Sequence, residues 1–306
     1  MSTHSPYDPT GRRFTIRSGD TVAEISQVGA GVRAFAVGDV DLVPRYPDHS
    51  PTPAASGIVL VPWASRVRDG SWTQRGVTRQ LAITDPKTGN ASHGLLRYTA
   101  YQPIEYTDDT VTLAADVYPQ TGYPFHLATE VTYAVSDMSL TVTHRLLNLG
   151  DEEAPVALGA HPYFCIGTAT TGELTVQVDA SSRFALDERL LPVAEMPVDE
   201  ATDLRSPRIV GTLDLDTAYG QLTRDGEDRA HAVLTAPDGS SVDVWAGSGF
   251  DYLQLFTTDR YPGQPVALAI EPLTAPADAL NSGIGVRWLA PGEQWQLQWG
   301  AHYRTP

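Results

Sequence analysis

Two ionisable side chains stand at the ends of apolar runs, and each is followed at once by proline. His161 closes "PVALGA" and precedes Pro162, Tyr163 and Phe164, while Glu271 closes "VALAI" and precedes Pro272. Proline lacks a backbone donor and restricts the residue before it, so both dipeptides predict a strand that stops pairing and turns. An apolar setting raises the pKa of a carboxylate, and an adjacent carboxylate supports a protonated histidine. Two such groups could exchange protons with a bound substrate near neutral pH. Taken singly, the histidine reads as a hydrogen-bonded core residue and the glutamate as the partner of an arginine. Their repetition is what points to acid–base chemistry. Two further stretches set polar groups against apolar ones. "VPWASRVRDG" carries Arg66 and Arg68, and "NASHGLLR" carries His93 beside Gly94, with Arg97 four residues on.

Other chemistries find less support. The eight histidines form no HxH or HExxH pattern and Cys165 is the single cysteine, so no metal-ligand spacing is present. There is no G-x-S-x-G elbow, Walker loop or G-x-G-x-x-G, and "VGAGV" reads as a turn. No metal and no cofactor are therefore expected. A net charge of -16 disfavours nucleic acid and anionic membranes, and is explained by solubility alone. No run approaches the roughly 18 apolar residues of a membrane span. The opening "MSTHSPYDPTGRRF" lacks the apolar segment of a secretion signal. A lone cysteine forms no internal disulfide, so a cytoplasmic setting is expected.

The elements that must position these residues are short strands. "RFTIRSG", "TVAEISQVG", "VTLAADVY", "LATEVTYAV", "LTVTHRLLNLG" and "ELTVQVDA" alternate at period two. "AHAVLTAPDGSSVDVWAG" predicts a hairpin, with Pro237 and Gly239 in its turn. Helical periodicity is confined to "APADALNSG", where Gly283 is the expected stop. The 26 glycines and 23 prolines are spread along the chain, and no repeat or linker divides it. We expect an all-β protein, a large antiparallel β-sandwich forming one domain over residues 1–306, with residues 1–11 a flexible leader.

Six blocks, in order, resemble the aldose 1-epimerases, or galactose mutarotases. They are "SRVRDG", "SHGLLR", "HPYF", "LDLDTAYG" around Asp216, "YLQLFT" around Gln254, and "AIEPLTAPADALNSG", within residues 57–285. "TVAEISQVGAGVRAFAVGDVDLV" resembles the family's opening strands. The resemblance implies a large β-sandwich that interconverts the α and β anomers of a free aldose without a cofactor. It implies Glu271 as the base at the C1 hydroxyl and His161 as the acid at the ring oxygen. Arg66, His93, Asp216 and Gln254 match positions that hold the sugar or support the pair. Trp63, Tyr163 and Phe164 are candidates for an apolar pocket wall or for ordinary core. One departure is Ser65, where the family commonly has Asn.

The expected partner is a monosaccharide, glucose or galactose, bound by a monomer or homodimer. A charged sugar, a hexose 6-phosphate or a sulfonated sugar, would need arginines converging on the pocket, with Arg68, Arg97 and Arg260 as candidates. Surface ion pairs are the simpler expectation for Arg68 and Arg97. A non-catalytic sugar-binding protein would have no need of both His161 and Glu271. Glycoside hydrolysis would pair Asp216 with Glu271 and leave His161 unexplained.

Overall fold

A computed structural model describes residues 8–306. Two large antiparallel sheets dominate it, as the alternating runs predict. The nine-stranded sheet is built around the long hairpin of Leu127–Ser136 and Ser139–Asn148, continued by Gln294–Arg304 and Ser241–Ala246. Both hairpin strands alternate buried and half-buried residues along almost their whole length, so one face packs and the other meets solvent. The predicted hairpin pairs Ala230–Thr235 with Ser241–Ala246, and Gly239 takes the left-handed conformation in its turn. The predicted helix is a single turn, Ala279–Ser282, ended by a left-handed Gly283.

The eight-stranded sheet carries the candidate site. Its central order is Asp216–Leu222, Tyr252–Thr258, Ala267–Leu273, then Gly159–Ala160 and Val59–Leu60, with Tyr163–Phe164 also paired to Ala267–Leu273. Every residue of Ala267–Leu273 is buried, Glu271 included. Such a strand has neighbours on both edges and side chains packed on both faces. A carboxylate placed there is held rigidly and stripped of water. A four-stranded sheet, Arg13–Ser18 to Val40–Asp41, packs at the amino-terminal end.

Of the leader expected over residues 1–11, residues 1–7 lie outside the described residues. The rest is built into the fold: Thr10 is fully buried, and Asp8 pairs with Arg13 at 2.7 Å. Among the described residues, no helix is long and apolar enough to cross a membrane.

Candidate active site

Strand register brings the two proline-linked residues together. Gly159 faces Leu273 and Tyr163 faces Ala269 in one unbroken register, so position 161 lies opposite position 271. Gln254 faces Glu271 from the other side. Directly opposed residues share a face, so His161, Glu271 and Gln254 form a row across the sheet. His161 Nε2 lies 3.3 Å from Glu271 Oε1. Ala218 faces Gln254, and Asp216 sits two residues earlier on the same face, where its Oδ1 accepts from Gln254 Nε2 at 2.6 Å.

The prolines act differently from each other. At His161–Pro162 the strand breaks, as expected, between Gly159–Ala160 and Tyr163–Phe164. The His161 backbone is held from the far side, donating to Ile58 O and accepting from Gly57 N. After Glu271 the expected stop does not occur, and Pro272 remains in the strand opposite Leu253. Ile270 donates to Pro162 O and Thr274 to Leu158 O, so residue 272 would donate towards Ala160. Proline omits only that bond, at the place where the neighbouring strand is itself interrupted.

Arg66 and His93 arrive on a separate two-stranded ladder, Arg66–Val67 against Ala91–Ser92. His93 has positive φ and donates its backbone N–H to Ser65 O at 2.8 Å. Gly94 follows with φ +70, and a Cβ there would lie 2.0 Å from Val61 O, so the turn that presents His93 requires glycine. Asp278 ties this ladder to the loop after Glu271: its N–H donates to Arg66 O, and its Oδ1 accepts from Arg68 N at 2.9 Å. The Arg66 guanidinium reaches Asp216 Oδ2 at 3.3 Å and Asp85 Oδ2 at 3.5 Å.

These elements surround one cavity of about 380 Å³, lined by all six residues to which the family resemblance gives catalytic or supporting roles: Arg66, His93, His161, Asp216, Gln254 and Glu271. The size and the mixed polar and apolar lining suit a small molecule. Ser65, Asp85, Arg97, Phe256 and Arg260 line it too. Among the described residues no cluster of His, Cys, Asp or Glu is suited to holding a metal ion.

Burial dominates the electrostatics of the pair. It raises the Glu271 pKa well above the ordinary carboxylate range, aided by the Asp216 carboxylate and opposed by Arg66. It lowers His161 to about 4, with Arg97 and Arg66 adding to the effect. The expected protonated histidine is thus corrected: both members favour their uncharged forms, because burial penalises the imidazolium and the charges of Arg97 and Arg66 add to that penalty. His93 is also held well below its usual value, by burial and then by His161 and Arg97.

Of the two alternatives for the aromatics, the core one holds. Trp63 and Phe164 belong to the hydrophobic core, and Tyr163 lies beneath the His161 ring, stacked at 5.3 Å, with its hydroxyl donating to Ala54 O. Phe256 lines the cavity instead, edge-on to His161. It is two residues after Gln254 in "YLQLFT", and period two alone would have placed it on the same face. Asp85, in "TDPKTGN", had no such signal. Arg68 forms the expected ion pairs, with Asp187 at 3.3 Å and Asp278 at 3.5 Å. Arg97 does not: it lines the cavity, lies over the Tyr98 ring at 5.0 Å, and has no ion pair among the described residues.

Comparison with known proteins agrees with this architecture. The chain is 30% identical over 291 residues to the uncharacterized protein YihR of Escherichia coli strain K12, covering 94% of this chain and 92% of that one. Its fold matches the crystal structure of a putative aldose 1-epimerase from Escherichia coli K12, with a TM-score of 0.82, 19% identity, and coverage of 96% and 99%. It matches the GalM/aldose epimerase homologue from C. elegans as well, with a TM-score of 0.82, 18% identity, and coverage of 96% and 98%. The model of the aldose 1-epimerase family matches residues 12–300, and the chain belongs to that family.

Proposed function

We propose that the protein is an aldose 1-epimerase that interconverts the anomers of a free aldohexose such as glucose or galactose, using His161 and Glu271. The observation that carries this reading is their 3.3 Å cross-strand contact within one cavity. The two oxygens of a hemiacetal are bonded to the same carbon, so the groups serving them must stand side by side. Glu271 takes the proton of the C1 hydroxyl while His161 protonates the ring oxygen. The bond from C1 to the ring oxygen breaks, the aldehyde rotates about C1–C2, and reclosure returns both protons. Asp216, held between Arg66 and Gln254, orients the sugar hydroxyls together with those two residues and His93.

The pair carries one proton throughout. The closed sugar accompanies a carboxylate and an imidazolium, and the open aldehyde accompanies a carboxyl and a neutral imidazole. Burial favours the second arrangement. Forming the charged pair is therefore part of the cost of opening the ring, and orientation of the reacting groups lowers the rest. The lone cysteine fits a cytoplasmic enzyme, acting as a monomer or homodimer.

Arg97 and Arg260 favour a second reading, in which the sugar bears a phosphate or sulfonate. Both line the cavity and neither forms an ion pair among the described residues, whereas Arg68 is occupied elsewhere. Exchange NMR at anomeric equilibrium tests both readings. Faster α–β exchange of glucose or galactose than in buffer supports the first. Exchange accelerated only for glucose 6-phosphate or a sulfonated hexose supports the second, and no acceleration of any sugar contradicts both.

A further inference from the structure

His161 is oriented by packing more than by hydrogen bonds. Its Nε2 faces Glu271, while its Nδ1 is buried and finds no hydrogen-bond partner among the described residues. A working imidazole is ordinarily oriented by a bond at its second nitrogen. The χ2 torsion of histidine is broad, so without that bond the ring angle must be set by neighbours. Three aromatic rings supply them. His93 and Phe256 meet the imidazole edge-on, with ring centres 5.4 and 6.3 Å away and planes inclined at 78° and 82°. Of the three, only Tyr163 lies flat against it, at 5.3 Å and 27°.

Tyr163 is itself fixed from below. It is fully buried, does not border the cavity, and packs against Tyr261 at 5.0 Å. Ala269 stands opposite it in the strand pair and leaves the ring its room. The hydroxyl reaches further, donating to Ala54 O at 3.2 Å, and burial raises its pKa so that it stays a donor. Ala54 and Ala55 line the cavity with φ of +44 and +58, two successive non-glycine residues in the left-handed region. Such a conformation persists only where its surroundings enforce it. The enforcing contacts here are the Tyr163 hydroxyl on Ala54 O, the Tyr261 hydroxyl beside Ser56 Oγ at 3.1 Å, and Gly57 N donating to His161 O at 2.8 Å. The rim of the cavity and the imidazole thus share one support.

We propose that Tyr163 is a positioning residue with two separable parts: its ring fixes the angle of the His161 imidazole, and its hydroxyl fixes the Pro53–Ala55 rim against which the sugar binds. Neither part touches the substrate. The ring acts on proton transfer, and so on kcat, because the imidazole must point at the ring oxygen of the sugar. The hydroxyl acts on binding, and so on KM. The kinetic consequences rest on the epimerase reading, whereas the ring angle and the rim do not.

The test compares wild type with Tyr163→Phe and Tyr163→Leu, each shown to be folded by circular dichroism. Exchange NMR of glucose and galactose gives kcat and KM, and calorimetry gives the dissociation constants. The proton spectrum follows the His161 ring signals, identified by their loss in His161→Asn. Tyr163→Phe keeps the ring and is expected to hold kcat within about twofold while raising KM and the dissociation constant about fivefold, as the loss of one neutral hydrogen bond allows. Its His161 ring signals should stay close to wild type. Tyr163→Leu is expected to raise KM similarly, to lower kcat about tenfold or more, and to move the His161 signals downfield as the shielding of the flat ring is lost. Tyr163→Phe lowering kcat as much as Tyr163→Leu overturns the proposal, as do wild-type KM in Tyr163→Phe and unmoved His161 signals in Tyr163→Leu. A wild type that exchanges no sugar would overturn the epimerase reading, and the His161 signals and dissociation constants would still decide the role of Tyr163.

Discussion

On the proposed reading Asp216 is where the sugar contacts and the acid–base pair meet, and Asp216→Asn separates their contributions. In the wild type its two oxygens accept from two donors, Gln254 Nε2 at 2.6 Å and Arg66 Nη2 at 3.3 Å. Asparagine offers one oxygen and one NH2 group, so one of those donors must face another donor. A hydrogen bond to a charged group contributes about 1.5–3 kcal/mol. The Arg66 and Asp216 side chains are 19% and 23% exposed, so solvent screening argues for the lower end. About 1.5 kcal/mol corresponds to roughly a tenfold fall in kcat/KM. A second consequence has a definite sign. The Asp216 carboxylate helps to raise the Glu271 pKa, while Arg66 lowers it. Removing the carboxylate takes away the first influence and leaves the second less compensated, so the Glu271 pKa falls. The assay is exchange NMR of the preferred sugar across pH, on a variant whose circular dichroism matches the wild type. Wild-type kcat/KM, or an alkaline limb that stays put or moves to higher pH, would refute the reasoning.

Three further outcomes follow from the same geometry. The wild-type pH profile should stay flat well below pH 6.5, because the pair takes up its second proton only near the lowered His161 pKa of about 4; an acid limb near 6.5 would contradict this. His231 bridges Asp225 and Asp243 at 3.0 and 2.8 Å, and these carboxylates outweigh its burial and raise its pKa. Its contribution to stability is therefore full below the unfolded value of about 6.5 and is lost as pH rises through the folded value. The melting-temperature gap between wild type and His231→Asn should narrow from pH 6 to pH 9, and a widening gap would reverse the assignment. Gly94→Ala should cost about 2 kcal/mol or more, read from the urea midpoint, because its Cβ would strike the Val61 carbonyl at positive φ. An unchanged midpoint would show that the turn under His93 tolerates a side chain.

What the sequence discloses about this site, and what it withholds, follows from strand geometry. Period two tells which residues of one strand share a face, so the sandwich and its main hairpins are legible in runs such as "LATEVTYAV". The same rule would have found Phe256 from Gln254. It says nothing about which strands pair or in what register, and the opposition of His161 and Glu271 is a matter of register alone. Pro272 does not end its strand, because a proline's effect depends on the neighbouring strand, which is broken where the donor is missing. The charge state of His161 likewise depends on surroundings that other elements supply. Burial is the main cause of its lowered pKa, with Arg97 and Arg66 adding to it, and neither the depth of burial nor those neighbours can be read from one strand's sequence. Trp63 and Phe164 are apolar aromatics whose type suits a pocket wall or a core equally, and only packing separates the two.

The most direct test of the central claim is exchange NMR between the α and β anomers of glucose and galactose at equilibrium, comparing buffer, wild type, Glu271→Gln and His161→Asn. Glu271→Gln is isosteric, His161→Asn is smaller but keeps a polar group, both remove proton transfer, and folding is checked by circular dichroism. The account predicts exchange well above buffer for the wild type and a loss of about 100-fold or more in each folded variant. Wild-type activity retained in either variant would show that the 3.3 Å pair is not what moves the protons.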